Sequence, residues 1–560
     1  MSIANEVAPW EKFSGWVHCI CVVTFDLELG QALEVIYPGD ARLSGSEKLN
    51  ICYLSFPDSN SSCAADTVYH FRIRRVSKCL NATHVAYSER VLPTADLDPT
   101  YYYGFVHFRQ RKDASLPRGY YQKSLVLITS YPIFNLFYHV VSMVAAAYFE
   151  SGEPAVEAAC HHIDHWPAPT PGECLTLPLM GAIIQCYIPC KNDTPLETKF
   201  IEKAIGSPSP LVLNAVNETN LFKELRGFLS HIQLLWELVL VGEPLVVMAP
   251  CPSTCALLVE SLISLIWPLR YCNDYRPYFT IHDSEFKEYT LKGNSPPSVM
   301  LGVTNPFFIK TLQHWPHILR IGDESSEQLG VPEKSIRRTL DGRLFDMKPG
   351  LYSQYRTFLY RDKSLLKKLL KNERDDSVLS SVLRRHMLEL TQSFMIPLER
   401  YLSSLMPLQK HMSPFRAIPQ ARPFSVDDFL SSLSEAGPGL TCCFKGDWKG
   451  LYGKFMLSKN FEGWLRSRQK DIARQLRLSY IEVLCKTDFS AEILQEKQQV
   501  EIVDLVLKIS NYIESLSDTQ IELRRKLQSQ LRTILQSVDD ELKTLLLSNC
   551  DFRSRMPDLQ

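Results

Sequence analysis

The chain has 560 residues, 45% hydrophobic and 22% charged. At about 150 residues per domain this allows three or four globular domains. With 61 basic residues against 62 acidic ones, the near-neutral balance excludes a large nucleic-acid footprint.

The 16 cysteines are scattered, with Cys19, Cys21, Cys186 and Cys255 inside apolar segments and no CxxC pair. That usage predicts reduced thiols acting as small hydrophobes in a cytosolic chain. MSIANEVAPWEKFSGW has no basic start followed by an apolar core, so no signal peptide is expected. The sequons at Asn60, Asn81, Asn192 and Asn217 then carry no weight. No uninterrupted apolar run reaches about 18 residues, so any membrane contact is expected to be peripheral.

In chain order, WVHCICVVTFDLELG and QALEVIYP predict a hairpin turning near Leu29 and Gly30. ICYLSFP reads as another strand, and 55–65 as a polar loop. VYHFRIRRV alternates, with Tyr69, Phe71 and Ile73 on one face and His70, Arg72 and Arg74 on the other, which predicts a half-exposed strand. Residues 81–99 read as a loop, and YYYGFVHFRQRKD as a strand. KSLVLITSYPIFNLFYHVVSMVAAAYFE predicts a buried strand and then an apolar helix with Phe134, Tyr138, Val141 and Ala145 inward. Antiparallel strands followed by a helix make this part α+β. PAPTPG (167–172) is a joint, LTLPLMGAIIQCYIP is strand-like, and 191–210 reads as a polar insertion.

From Leu221 the pattern becomes α/β. The apolar segment WELVLVGEP is closed by Gly242 and Pro244, and LVVMAP predicts a strand buried on both faces. Ser253 is placed to cap a helix with Leu258, Leu262 and Ile266 on one face. PYFTIH and VMLGV predict two more strands. GxGxxG, GxxxxGK[ST] and GxSxG are all missing, which argues against a dinucleotide turn, a P-loop and a nucleophile elbow. His282, Asp283, Glu285 and Glu288 follow a predicted strand, where α/β proteins often place sites, but they also suit a solvated loop. Residues 323–343 read as a charged linker. After Gly350 helical periods dominate, broken by the proline-bearing stretch 407–423. In the last helix Leu531, Val538 and Leu545 repeat every seven, as do Leu527 and Ile534; this fits packing onto the helical part or an oligomer contact.

Three clusters admit two readings each. Cys160, His161, His162 and His165 have some metal-ligand character, but no second pair follows at finger-like spacing, so no metal is assigned. RDKSLLKKLLK (361–371) suits an anionic membrane surface or an ordinary helix with a leucine face. Arg118, beside Pro117 and Gly119, is either a solvated loop residue or an arginine finger.

WELVLVGEPLVVMAP, LISLIWPLRYCNDYRPYFTIHDSEFKEY and LGVTNPFFIKTLQHWPHILRIG resemble the central module of DENN-domain proteins, most of all subfamily six. The resemblance extends through VVTFDLELGQALEVIYP, RGYYQKSLVLIT, KPGLYSQY and MIPLERYL, over roughly residues 12–475. It implies a tripartite fold of α/β and α+β character: an N-terminal longin-like domain over 12–195, a central α/β domain over 218–345 and an all-helical domain over 347–475. A helical extension follows over 488–548. The implied activity is guanine nucleotide exchange on a Rab GTPase in endosomal trafficking, on recycling endosomes, without cofactor or covalent chemistry. Expected GTPase contacts are Asn305, Phe307, Phe308 and Lys310 with Trp315 beside them, then Asp283 and Glu285; packing of Phe307, Phe308 and Trp315 into the core is the competing reading. The alternatives are a GTPase-activating protein using Arg118, as in folliculin-type relatives, and a scaffold that binds active Rab.

Overall fold

The computed structural model describes residues 10–26, 28, 30–58, 66–115, 119–191, 193, 211–214, 219–291, 295–322, 349–370, 374–408, 412–433, 445–489, 493, 494, 496–516, 520–536, 538 and 543. The readings placed on Arg118, on 323–343, on most of 191–210, on Asn60, Asn192, Asn217 and on Leu545 lie outside these residues. The chain divides into two compact units, Met1–Phe394 with Ser434–Phe461, and Met395–Leu433 with Glu462–Gln560.

The first unit opens with a five-stranded antiparallel sheet. Its strands are β1 (Cys19–Asp26), β2 (Gly30–Tyr37), β3 (Thr67–Arg74), β4 (Tyr101–Lys112) and β5 (Tyr120–Thr129), in the order β2-β1-β5-β4-β3. One face carries Cys19, Cys21, Phe71, Val106 and Val126, packed with Ile51 and Leu54 of the Gly45–Leu54 helix. On the other face Phe105 meets Phe134 and Phe137 of the Phe134–Ser151 helix, with ring centroids 6.1 and 5.3 Å apart. The inward residues of that helix are Leu136, Phe137, Val140, Val141, Val144, Ala145 and Tyr148. A second sheet follows, with β6 (Cys174–Leu179) antiparallel to β7 (Ala182–Tyr187) and β7 parallel to β8 (Leu211–Asn214).

Three local expectations for this region are corrected. ICYLSFP is mostly helix, because Ser44 and Glu47 form a capping box that starts the helix at Gly45 and carries it to Leu54. The stretch 81–99 contains the Ala82–Arg90 helix, capped by the Asn81 side chain, which accepts from the His84 N–H at 2.8 Å. β3 is not half-exposed: His70 and Arg72 are as buried as Tyr69 and Phe71, because the Pro252–Ser264 helix covers their face. Their polar groups are met by residues distant in the sequence. The His70 ring pairs with Glu260 at 3.1 Å and with the Tyr138 hydroxyl at 2.6 Å.

The third sheet runs β10 (Asp274–Arg276), β11 (Val299–Val303), β9 (Leu245–Met248), β12 (His317–Arg320) and β13 (Gly350–Ser353). The first four are parallel, and β13 adds antiparallel to β12, so residues 350–353 belong to this sheet and not to the helices after it. β9 and β11 are buried along their whole length, as continuous apolar strands require. β10 begins three residues before PYFTIH and stops at Arg276, since Pro277 has no N–H for the ladder. PYFTIH still runs beside β11. Phe279 N–H donates to Gly302 O at 2.8 Å, and a Cβ on Gly302 would meet Pro277 O at 2.2 Å. The helix after β9 starts at Pro252 in its first position, with Cys251 as the capping residue instead of Ser253.

The Ile232–Val241 helix is buried on all sides. Asn460 accepts the Cys272 N–H at 2.7 Å and donates to Val239 O and Leu240 O near its end, each at 2.9 Å. Glu237, fully buried, accepts from Phe358 N–H at 2.9 Å and Leu359 N–H at 3.0 Å. Burial pushes its carboxyl from the usual 4.5 up to about 7, against the pull of those donors. Between those two values the folded protein keeps a proton that the unfolded chain has released. Stability from this group therefore falls as pH rises through that window and is level above it, by about 3 kcal/mol in all. Glu237→Gln is expected to remove that slope, read as urea midpoints of the two proteins at pH 5 and pH 8; parallel pH dependence would contradict it.

Helices follow: Lys363–Leu370, Asp376–Ser404, Trp448–Met456 and Lys459–Lys486. In the first of these Leu365 and Leu369 face inward and the lysines outward. The second unit has its own core, in which Tyr480, Leu484, Leu505, Ile509, Leu527, Leu531 and Ile534 pack together. Leu527, Leu531 and Ile534 of the Ile521–Gln536 helix are thus spent on packing within this unit. The order of parts, an α+β portion, an α/β portion and then helices, is the tripartite arrangement expected.

Candidate functional site

In the parallel sheet, the loops after β10 and β11 leave from the carboxyl ends of adjacent strands, where ligands and partners commonly meet such sheets. The loop after β10 lies against the edge strand β3 and the Gly45–Leu54 helix, and the loop after β11 against Asp58 just beyond that helix, forming one seam. At its deeper end, Arg276 is 2% exposed and holds Asp274 at 3.2 Å and Glu285 in a shorter contact. Arg74 of β3 adds a 2.8 Å bond to Glu285. Arg72 reaches Asp98 at 2.6 Å and Asp274 at 3.5 Å, and stacks over Tyr101 and Tyr275 with its charge 3.7 and 4.1 Å from the ring centres. Paired arginines hold the Asp274 carboxyl below its ordinary value despite burial.

Nearer the surface the seam changes character. The Tyr53 and His282 rings stack at 5.1 Å, and Asn50 Nδ2 reaches Ser284 Oγ at 3.5 Å. Asn305 Nδ2 donates to Asp58 Oδ1 at 3.0 Å, and Thr304 Oγ1 to Asp58 O at 3.2 Å. The Tyr278 hydroxyl donates to Phe56 O at 3.0 Å and accepts the Asp58 N–H. Asn305 Oδ1 also takes the Phe307 N–H at 2.9 Å, which sets the direction of the next turn. Phe307 is thereby held 48% exposed beside exposed Lys310, and Leu49 on the neighbouring helix is 56% exposed. An exposed aromatic on a hydrogen-bonded turn suits an interface anchor, because little ordering remains to be done on binding.

A family model described as the DENND6 C-terminal domain matches residues 489–549, and one described as Transport protein Avl9 matches residues 17–156. The chain is 48% identical over 556 residues to Protein DENND6B of Homo sapiens, covering 97% of this chain and 94% of that one. The chain belongs to the DENND6 family. Protein DENND6A of Gallus gallus is 48% identical over 551 residues, covering 96% and 94%. The Protein DENND6 homolog of Dictyostelium discoideum is 32% identical over 598 residues, covering 94% of this chain and 81% of its own.

The residues singled out in this DENND6-family sequence divide cleanly. Asn305, Phe307 and Lys310 lie together on one short segment at the seam's surface. Phe308 and Trp315, expected as contacts or core, are both fully buried; Phe308 packs on Phe279, and the Trp315 indole donates to Tyr289 O at 3.2 Å. The surface placement of Asp283 is corrected: it is 6% exposed and its carboxylate accepts the Glu285 N–H at 2.9 Å. Glu285 is committed to Arg74 and Arg276. These two carboxylates shape the seam from inside. Asn50, Tyr53, Asp58 and Arg276 were missed by sequence reasoning. Asn50 and Asp58 have partners 234 and 247 positions away, and no local pattern announces such pairings; Arg276 pairs with the nearby Asp274 and Glu285, but its burial is not legible in the local sequence.

Among the described residues no group of three or more His, Cys, Asp and Glu side chains could hold a metal ion. Cys160 is buried, the His161 ring lies 4.9 Å from Trp10, and His165 Nδ1 meets His161 O at 2.7 Å. No described helix is long and apolar enough to cross a membrane.

Proposed function

We propose that this DENND6-family protein is a guanine nucleotide exchange factor for a Rab GTPase, acting in endosomal trafficking after peripheral recruitment to the membrane. Family membership is the observation that carries the reading, since the DENN resemblance implies Rab exchange. The seam supports it as a contact surface: Asn305, Phe307 and Lys310 form its outer rim, with Asp283 and Glu285 behind them.

The chemistry such a protein performs is non-covalent. It binds the empty GTPase more tightly than the loaded one, and linkage then makes it weaken nucleotide by the same factor. A thousandfold faster release needs about 4 kcal/mol of differential stabilisation. An interface on the order of 2,000 Å² supplies that without any bond-making side chain. Phe307 provides the apolar anchor, and Lys310 sits where an acidic partner group would be steered.

Calorimetric titration of the full chain with purified Rabs tests this. Affinity for the nucleotide-free form is expected to exceed that for the GTP-loaded form by at least about a hundredfold. Preference for the loaded form would make the protein an effector.

A further inference from the structure

A cavity of about 280 Å³ lies within the first unit, away from the outer rim of the seam. The turn at Pro93–Ala95, the start of the Phe134–Ser151 helix, the end of the Pro252–Ser264 helix and the Asp376–Ser404 helix all contribute to its wall. Aromatic and apolar groups line part of it, including Trp267, Phe134 and Ile263.

Three arginines and three carboxylates line the wall, and Arg384 stands apart from the pairs they form. Arg270 pairs with Asp96 at 3.0 Å, Arg72 with Asp98 at 2.6 Å, and Glu260 with His70 at 3.1 Å. Arg384 has no carboxylate partner among the described residues and donates one hydrogen bond, to Thr219 O at 2.5 Å. Burial pulls its guanidinium down to about 10, which leaves it charged at neutral pH. Among the described residues, the buried Tyr271 hydroxyl has no hydrogen-bond partner, and neither has one buried carboxylate oxygen of Asp96. Such groups are costly in a folded protein unless something meets them. Among the described residues, a cation without a carboxylate partner, a hydroxyl and a spare acceptor share the wall of this half-open cavity, and together they describe the negative of a ligand.

We propose that this cavity binds a small hydroxylated phosphate ester, a sugar or polyol phosphate, whose anionic group meets Arg384. Its hydroxyls satisfy Asp96, and Tyr271 donates to one of its oxygens. The paired acids Asp98 and Glu260 limit the ligand to one charged group. Because four elements share the wall, occupancy ties the helix carrying Arg384 to the rest of the unit.

Isothermal titration of the full chain with glucose 6-phosphate, glycerol 3-phosphate, inorganic phosphate and glucose tests this. At least one ester is expected to bind at least about tenfold more tightly than glucose and than inorganic phosphate. Arg384→Gln is expected to lose that binding by at least about tenfold without lowering the unfolding temperature, since the charge it removes has no carboxylate partner among the described residues. Should that variant fail to fold, Ile263→Trp, which fills the space, is expected to abolish binding while keeping a cooperative transition. Flotation with vesicles carrying phosphatidylinositol phosphates separates the sources. Flotation lost in Arg384→Gln assigns a lipid headgroup, and ester binding with flotation unchanged assigns a free ester. Equal binding of esters by the wild type and Arg384→Gln, or no binding by either, would overturn the proposal.

Discussion

Phe307→Asp is expected to reduce stimulated GDP release by about ten- to a hundredfold, while moving the unfolding free energy by less than about 0.5 kcal/mol. The argument rests on its placement. The ring is half in solvent, and its backbone is fixed through Asn305 to Asp58. An aromatic held in this way contributes to an interface without contributing to the core. Its neighbour is the control. Phe308 is fully buried against Phe279 and Phe286, so Phe308→Ala is expected to cost about 3–5 kcal/mol of stability. Release rates and urea denaturation of the two variants check the pair. Unchanged release by Phe307→Asp would remove this turn from the contact surface.

Arg276→Met carries the largest expected effect on stability, a loss of about 3–5 kcal/mol in urea denaturation. The guanidinium is almost inaccessible, donates to Asp274 and Glu285, and points one nitrogen at Arg72 O at 3.4 Å. Removing it leaves two carboxylates in a desolvated place with Arg72 and Arg74 as the cations that still reach them. Arg74, 55% exposed, reaches the same carboxylates, and Arg74→Ala is expected to cost less than about 1 kcal/mol because water screens its pairing. A loss for Arg276→Met no larger than for Arg74→Ala would show that the buried network does not hold the seam.

The buried strands β9 and β11 were readable as apolar runs bounded by prolines and polar turns, and the long helices after 350 by their period. Local sequence failed where one part of the chain covers another. The His70–Arg72 face of β3 looks solvent-facing because its polar residues alternate with apolar ones. It is buried because Glu260, Asp98 and Asp274 arrive from elsewhere to satisfy it. ICYLSFP has the composition of a strand, yet the capping box several residues upstream decides for helix. In the candidate site the exposed half was legible as residue types, Asn305, Phe307 and Lys310. The difference between Phe307 in water and Phe308 in the core was not, because periodicity is undefined in so short a turn.

The most direct measurement is the release of fluorescent GDP from each of a panel of purified Rabs, with and without the full chain and an excess of unlabelled GTP. Exchange activity predicts that at least one Rab loses its GDP faster by about a hundredfold or more, with no increase in phosphate released when the same Rab is preloaded with GTP. Unaltered GDP release across the panel, joined to faster GTP hydrolysis or to binding of loaded forms alone, would contradict it.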